Sequence, residues 1–126
     1  MSPKTIFIYE GDNDLGFANA TSEQIIASAD SLLTIIRTKL PATVKVYFIS
    51  PKPSIARWHL KEQYVQFNKD LQTWIRKKKN VYFIDVWSKM LNPDGTIRKD
   101  LFIEDGLHMN RKGYDIWRDT IRKYVK

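Results

Sequence analysis

The sequence contains no cysteine. That excludes disulfide frameworks, thiolate metal sites and cysteine nucleophiles. Glycine and proline are scarce, five each in 126 residues, so neither a collagen-like fibre nor a flexible linker fits. Acidic residues are the minority: 14 Asp and Glu stand against 21 Lys and Arg, a net charge of +7. No apolar run approaches the roughly 18 residues that a membrane span needs. Met1-Ser2-Pro3-Lys4 leads straight into a strand-like run, without the apolar stretch of a signal peptide. As it stands the sequence reads as cytoplasmic, and a longer precursor would be free to be exported.

What is present suits one folded domain over residues 1–126. The chain is 43% apolar, 13% aromatic and 28% charged, and a domain this size buries roughly two thirds of its unfolded surface. The densest basic cluster, Arg76-Lys77-Lys78-Lys79, falls at the end of an expected helix. Cations there complement the helix dipole and stay solvated. No nucleic-acid motif accompanies them, so no nucleic-acid partner is expected.

Three apolar, β-branched and aromatic runs read as buried strands: Thr5–Tyr9, Val44–Ile49 and Val81–Ile84. Between them the period changes. Ile25, Ala29, Leu32, Ile36 and Leu40 mark one helix face, capped by Thr21 with Gln24 three residues on. Leu60, Tyr64, Phe67, Leu71 and Trp74 mark a second, closed by Asn80 as a left-handed cap. A short helical piece is expected around Trp87–Leu91. Asn110 caps a last helix whose apolar face is Tyr114, Trp117, Ile121 and Tyr124. Residues 10–19 read as a polar loop. The order strand, helix, strand, helix, strand, helix implies a parallel α/β sheet with helices on both faces. Chemistry in such a fold gathers at the carboxyl ends of the strands.

Two loops carry residue types suited to chemistry. Gly11-Asp12-Asn13-Asp14 follows the first strand. Its glycine permits a sharp turn, and an asparagine amide is a neutral donor able to face a developing oxyanion. Asp105-Gly106-Leu107-His108 precedes the last helix. An imidazole acting as a base needs a partner that fixes its tautomer, and a carboxylate three residues earlier can reach Nδ1. Other candidates are weaker. Asp12, Asp14 and Gly16 resemble a calcium loop whose glycine stands one position early, so no metal is expected. His59 reads as a surface histidine. Trp87 and Trp117 fit core positions.

Gly11-Asp12-Asn13-Asp14 resembles the Gly-x-Asn-Asp block of the SGNH hydrolases, also called GDSL-type esterases and lipases. Asp105-Gly106-Leu107-His108 resembles their Asp-x-x-His block, and Met109–Tyr114 resembles the helix opening that follows it. The resemblance spans nearly the whole sequence. It implies a flavodoxin-like three-layer α/β sandwich and ester hydrolysis by a Ser-His-Asp triad, without metal or cofactor. It implies that His108 is the base, that Asp105 orients it and that the Asn13 amide donates to the oxyanion. Gly11 would allow the close turn and Asp14 would brace the loop. Small esters, acylated sugars and lipids all remain open as substrates.

One departure stands against those matches. The family's nucleophile lies in an earlier Gly-Asp-Ser block, and neither that block nor the second, glycine-bearing one occurs here. None of the seven serines, Ser2, Ser22, Ser28, Ser31, Ser50, Ser54 and Ser88, follows Gly-Asp. Ser50, at a strand's carboxyl end, is a weak substitute, because Pro51 and Pro53 after it make a stiff loop with few free N–H donors for an oxyanion hole. The sequence therefore looks like the C-terminal portion of an SGNH hydrolase, from its third strand onward and N-terminally incomplete. A catalytically inactive α/β binding module with a basic surface is the alternative. The Thr5–Tyr9 strand is then an open edge, with no charge or proline inside it to discourage pairing. A homodimer joined through that edge is expected.

Overall fold

The computed structural model describes residues 4–9, 11–16 and 20–125, and the side chains of Asn13 and Asp14 lie outside that description. Three strands, β1 (Thr5–Tyr9), β2 (Lys45–Ile49) and β3 (Val81–Ile84), pair in the order β1-β2-β3. Both pairings are parallel, with Ile6 beside Val46 and Phe48 beside Phe83. The helices are α1 (Asp12–Gly16), α2 (Ser22–Lys39), α3 (Lys61–Arg76) and α4 (Arg111–Arg122). This is the α/β alternation that the periodicity predicts.

Successive strand side chains point to opposite faces, and the core divides accordingly. Val46 and Phe48 of β2 pack with Ile25, Ala29 and Leu33 of α2 and with Tyr64, Phe67, Leu71 and Ile75 of α3. Tyr47 and Ile49 turn the other way, joining Ile84 and Val86 under Trp117 and Ile121 of α4. Helices thus cover both faces of the sheet, in three layers.

The caps follow the sequence. Thr21 Oγ1 accepts from the Gln24 N–H while Gln24 Oε1 accepts from the Thr21 N–H, a reciprocal capping box at the start of α2. Asn80 adopts φ 58°, the left-handed conformation that releases the chain from α3 into β3. Asn110 Oδ1 accepts from the Gly113 N–H at the start of α4.

Two expectations are corrected. Residues 12–16 are a helical turn rather than loop: the Leu15 N–H bonds the Gly11 carbonyl at 2.9 Å, and Leu15 is buried in the larger core cluster. One apolar anchor in a polar stretch is too little to read as a helix period. Tyr114 lies outside the core, 56% exposed, because no described element covers that part of α4. Trp87 and Trp117 do take core positions. Trp87 stacks on Trp58 and Tyr64, and Trp117 meets the Tyr9 ring edge-on at 4.9 Å.

Among the described residues, β1 pairs only with β2. Its residues Thr5–Ile8 are half-buried, and Tyr9 is 39% exposed along its ring while its hydroxyl turns in to the buried Asp12. Exposed Ile35 and half-open Leu32 lie on α2, and Tyr114 and Val125 on and after α4. No described helix is long and apolar enough to cross a membrane.

Candidate active site

Because the strands are parallel, Tyr9, Ile49 and Ile84 end at the same edge of the sheet. Three loops leave from there. After β1 the chain turns at Gly11, which holds φ +110°. An added Cβ would lie 2.8 Å from Phe67 Cε2, so both the backbone angle and the ring exclude a side chain at this turn.

The loop before α4 is closed on itself. Phe102 and Met109 form an antiparallel bridge, and the Ile103 N–H donates to the His108 carbonyl at 3.0 Å. Asp105 Oδ1 accepts from the Leu107 and His108 N–H groups, each at 2.9 Å. Its Oδ2 lies 2.5 Å from His108 Nδ1. The imidazole hydrogen bond, reinforced by the two backbone donors, holds the Asp105 carboxyl down at about 2. An ionised carboxylate only accepts. Nδ1 therefore carries a proton, and in the neutral ring the lone pair is left on Nε2, in a side chain two thirds exposed. A base with its tautomer held in this way can take a proton from a hydroxyl.

The two loops meet through Asp12, at the variable position of the first motif, and through residues outside both motifs. Asp12 is 7% exposed. Its Oδ1 accepts from the Tyr64 hydroxyl at 2.6 Å and from Arg57 Nη1 at 2.9 Å. Its Oδ2 accepts from the Tyr9 hydroxyl at 3.2 Å and pairs with Lys52 Nζ at 3.5 Å. Lys52 also donates to the Leu107 carbonyl at 2.7 Å. Beside it, the Ala56 N–H donates to the Gly106 carbonyl at 2.9 Å. Burial, then the Asp12 charge, pushes the Tyr9 phenol far above its ordinary range, and burial with the Asp12 hydrogen bond does the same to Tyr64. Burial pulls the Lys52 ammonium down, against the opposing pull of Asp12. A lysine between Pro51 and Pro53 at a strand's end was the available sequence signal for this cluster.

The other candidates fall as follows. Ser50 is fully buried, and its Oγ accepts from the Val86 and Trp87 N–H groups at 3.0 and 3.1 Å. It ties the end of β2 to the chain leaving β3, and is not presented to a substrate. Ser54 is equally buried and accepts from the Arg57 N–H. His59 is exposed in the turn before α3. Asn13 and Asp14 have their backbone in α1, and their side chains lie outside the described residues. Among the described residues, no group of three or more His, Asp or Glu side chains is placed to hold a metal ion.

Residues 1–116 match the model of the GDSL-like lipase/acylhydrolase family. The chain belongs to that family. No curated protein matches it. Solved structures do. One is a Streptococcus pneumonia protein described as a platelet activating factor, with TM-score 0.87 and 18% identity over 98% of this chain and 60% of that one. Another is a family 3 carbohydrate esterase from Talaromyces cellulolyticus, with TM-score 0.80 and 21% identity over 98% and 57%. A GDSL-like lipase from Bacteroides thetaiotaomicron aligns with TM-score 0.69 and 16% identity over 98% and 62%. At such identities the likeness is one of fold. The chain spans about 60% of the length of these relatives.

Proposed function

We propose that this chain carries the base half of an acyl-ester hydrolase site. The observation that carries the reading is the Asp105–His108 pair, held by a closed loop at the carboxyl edge of the sheet. In this reading His108 Nε2 takes the proton from an attacking serine and returns it to the leaving alcohol. Asp105 stays ionised and stabilises the imidazolium. The Asn13 amide donates to the oxyanion, and Gly11 and Asp14 shape its turn. The substrate is a small ester: an acylated sugar, a lipid or a simple ester. No cofactor takes part.

The serine comes from outside these 126 residues. Ser50 and Ser54 are sealed in backbone hydrogen bonds, and no other serine stands in either site loop. Without its nucleophile a site of this kind keeps little acyl-transfer power. By itself the chain is then an inactive α/β module with a basic surface. Its open β1 edge pairs with the same edge of a second copy, antiparallel about a two-fold axis.

The genomic sequence upstream of the Met1 codon provides the test. An in-frame segment with a Gly-Asp-Ser block, expressed together with this chain, is expected to yield ester hydrolysis that His108→Ala abolishes. Hydrolysis indifferent to His108→Ala, or none from the joined segments, would remove the reading.

A further inference from the structure

We propose that Lys52 is a positioning residue that sets the separation between the Gly11–Asp14 turn and the Asp105–His108 loop. It serves the hydrolytic site proposed above and in that sense rests on it.

The two loops come from distant parts of the sequence, and each is well closed internally. The Asp105 loop has its Asp105 turn and the Phe102–Met109 bridge. The Gly11 turn has the Leu15 N–H on the Gly11 carbonyl. Neither set of bonds fixes one loop relative to the other. Lys52 does so directly. Its ammonium touches the Asp12 carboxylate, one residue before Asn13, and the Leu107 carbonyl, one residue before His108. Both partners are therefore adjacent to a residue of proposed chemical role.

The geometry makes this a stiff strut. Pro51 and Pro53 flank Lys52 and hold φ on both sides of it. Pro51 and Pro53 are fully buried, and the Lys52 side chain is only 11% exposed. The Lys52 N–H donates to the Tyr9 hydroxyl, which itself donates to Asp12. The ammonium also lies over the Phe102 ring, at the base of the Asp105 loop. Losing water around a lysine is costly, and burial does lower this ammonium's proton affinity. A solvated surface lysine would avoid that cost. Two acceptors from two loops explain why a charge is kept here, and a methylene chain could not replace it. The groups facing it are Asp12, Arg57 and Asp105, with the Leu107 carbonyl. Arg57 holds the other Asp12 oxygen, so Asp12 keeps one cation when Lys52 is removed.

The test is water-exchange NMR on the 126-residue chain, which needs no activity and so is independent of the hydrolase reading. In Lys52→Met the Leu15, Leu107 and His108 amides are expected to exchange about tenfold faster, together, while core amides at Phe48 and Ile84 stay within about twofold. Lys52→Arg, which keeps the charge and the donors, is expected to restore all three. If Lys52→Met fails to fold, Asp12→Asn combined with Lys52→Met removes both charges and is measured in the same way. Three results would overturn the proposal: no change at the three amides, a change confined to one loop, or an equal rise in the core. A role confined to general stability produces the last of these. Active hydrolase with unmoved loops would sink the strut and leave the site standing.

Discussion

Asp105 accepts three hydrogen bonds from the residues just after it: one from the His108 ring at 2.5 Å, and one each from the Leu107 and His108 amides at 2.9 Å. A carboxylate so served is worth more ionised than protonated, which is why its proton affinity falls to about 2. A depressed carboxyl contributes its bonding in full above its unfolded value, near 4, and loses it as pH drops through the folded value. The Asp105 carboxyl carbon is therefore expected to titrate at about 2 by NMR. In His108→Ala, which removes the largest cause, the midpoint is expected to move up toward 4. A midpoint already near 4 in the unchanged protein would show that the pair is not formed in solution.

The isolated chain is expected to hydrolyse p-nitrophenyl acetate no faster than its His108→Ala variant. Both solvent-protected serines near the site are held by backbone donors, and a base without a nucleophile leaves only weak catalysis. A His108-dependent rate that disappears in Ser50→Ala would restore Ser50 as a nucleophile.

Tyr9 and Tyr64 converge on the buried Asp12 carboxylate, and their phenols are pushed far upward by burial and by that charge. A group whose folded pKa exceeds its unfolded value near 10 lends stability that is full below pH ~10 and is lost as pH rises beyond it. In an alkaline titration followed near 295 nm, Tyr9→Phe and Tyr64→Phe are expected to leave the absorbance change up to about pH 11 unaltered. The folded protein is also expected to lose stability through that window. A smaller absorbance change in either variant would mean that its phenol ionises normally.

Gly113 lies in the first turn of α4, where an alanine would ordinarily gain about 1 kcal/mol of helix propensity. Here an added Cβ would lie 2.6 Å from the Leu101 carbonyl oxygen and 2.8 Å from Met109 Cβ. The oxygen belongs to backbone that also accepts from the Asn110 N–H, so it cannot move cheaply. Gly113→Ala is expected to destabilise by about 2 kcal/mol, the usual cost of overpacking outweighing propensity. Its urea midpoint should fall well below that of the unchanged protein. Equal midpoints would mean that the α4 start shifts freely.

The β1 edge is expected to make the isolated chain a dimer at micromolar concentration in sedimentation velocity. Ile6→Lys or Ile8→Lys, each placing a charge in an otherwise unguarded edge strand, should shift it to monomer. Sedimentation as a monomer, with slow exchange of the Ile6 and Ile8 amides, would mean that the edge is already capped within the chain.

Much of the fold is legible in residue order because its causes are local. The apolar runs Thr5–Tyr9 and Val81–Ile84 are strands, and the switch from strand runs to helix period implies parallel pairing. Thr21 with Gln24, Asn80 and Asn110 mark helix ends through hydrogen bonds or φ values that involve only near neighbours. The Asp105–His108 contact is of the same kind, being three residues long. Misreadings arose where a distant part of the chain decides the outcome. Leu15 makes a helical turn of a polar stretch because α2 and α3 supply its cover. Tyr114 stays exposed for want of such cover.

The sequence by itself determined the alternation of strands and helices, the family through two short motifs, and the internal shape of the His108 loop. All rest on side-chain period, turn chemistry and short-range hydrogen bonds, which act within a few residues. Only the tertiary structure decided what lies between the motifs. Asp12 gathers Tyr9, Lys52, Arg57 and Tyr64, the last from 52 positions away in the sequence. Ser50 loses its hydroxyl to amides 36 and 37 residues away. Each of these is a polar group taken out of water, which must find a partner wherever the packed chain provides one, and that partner is set by how the layers meet.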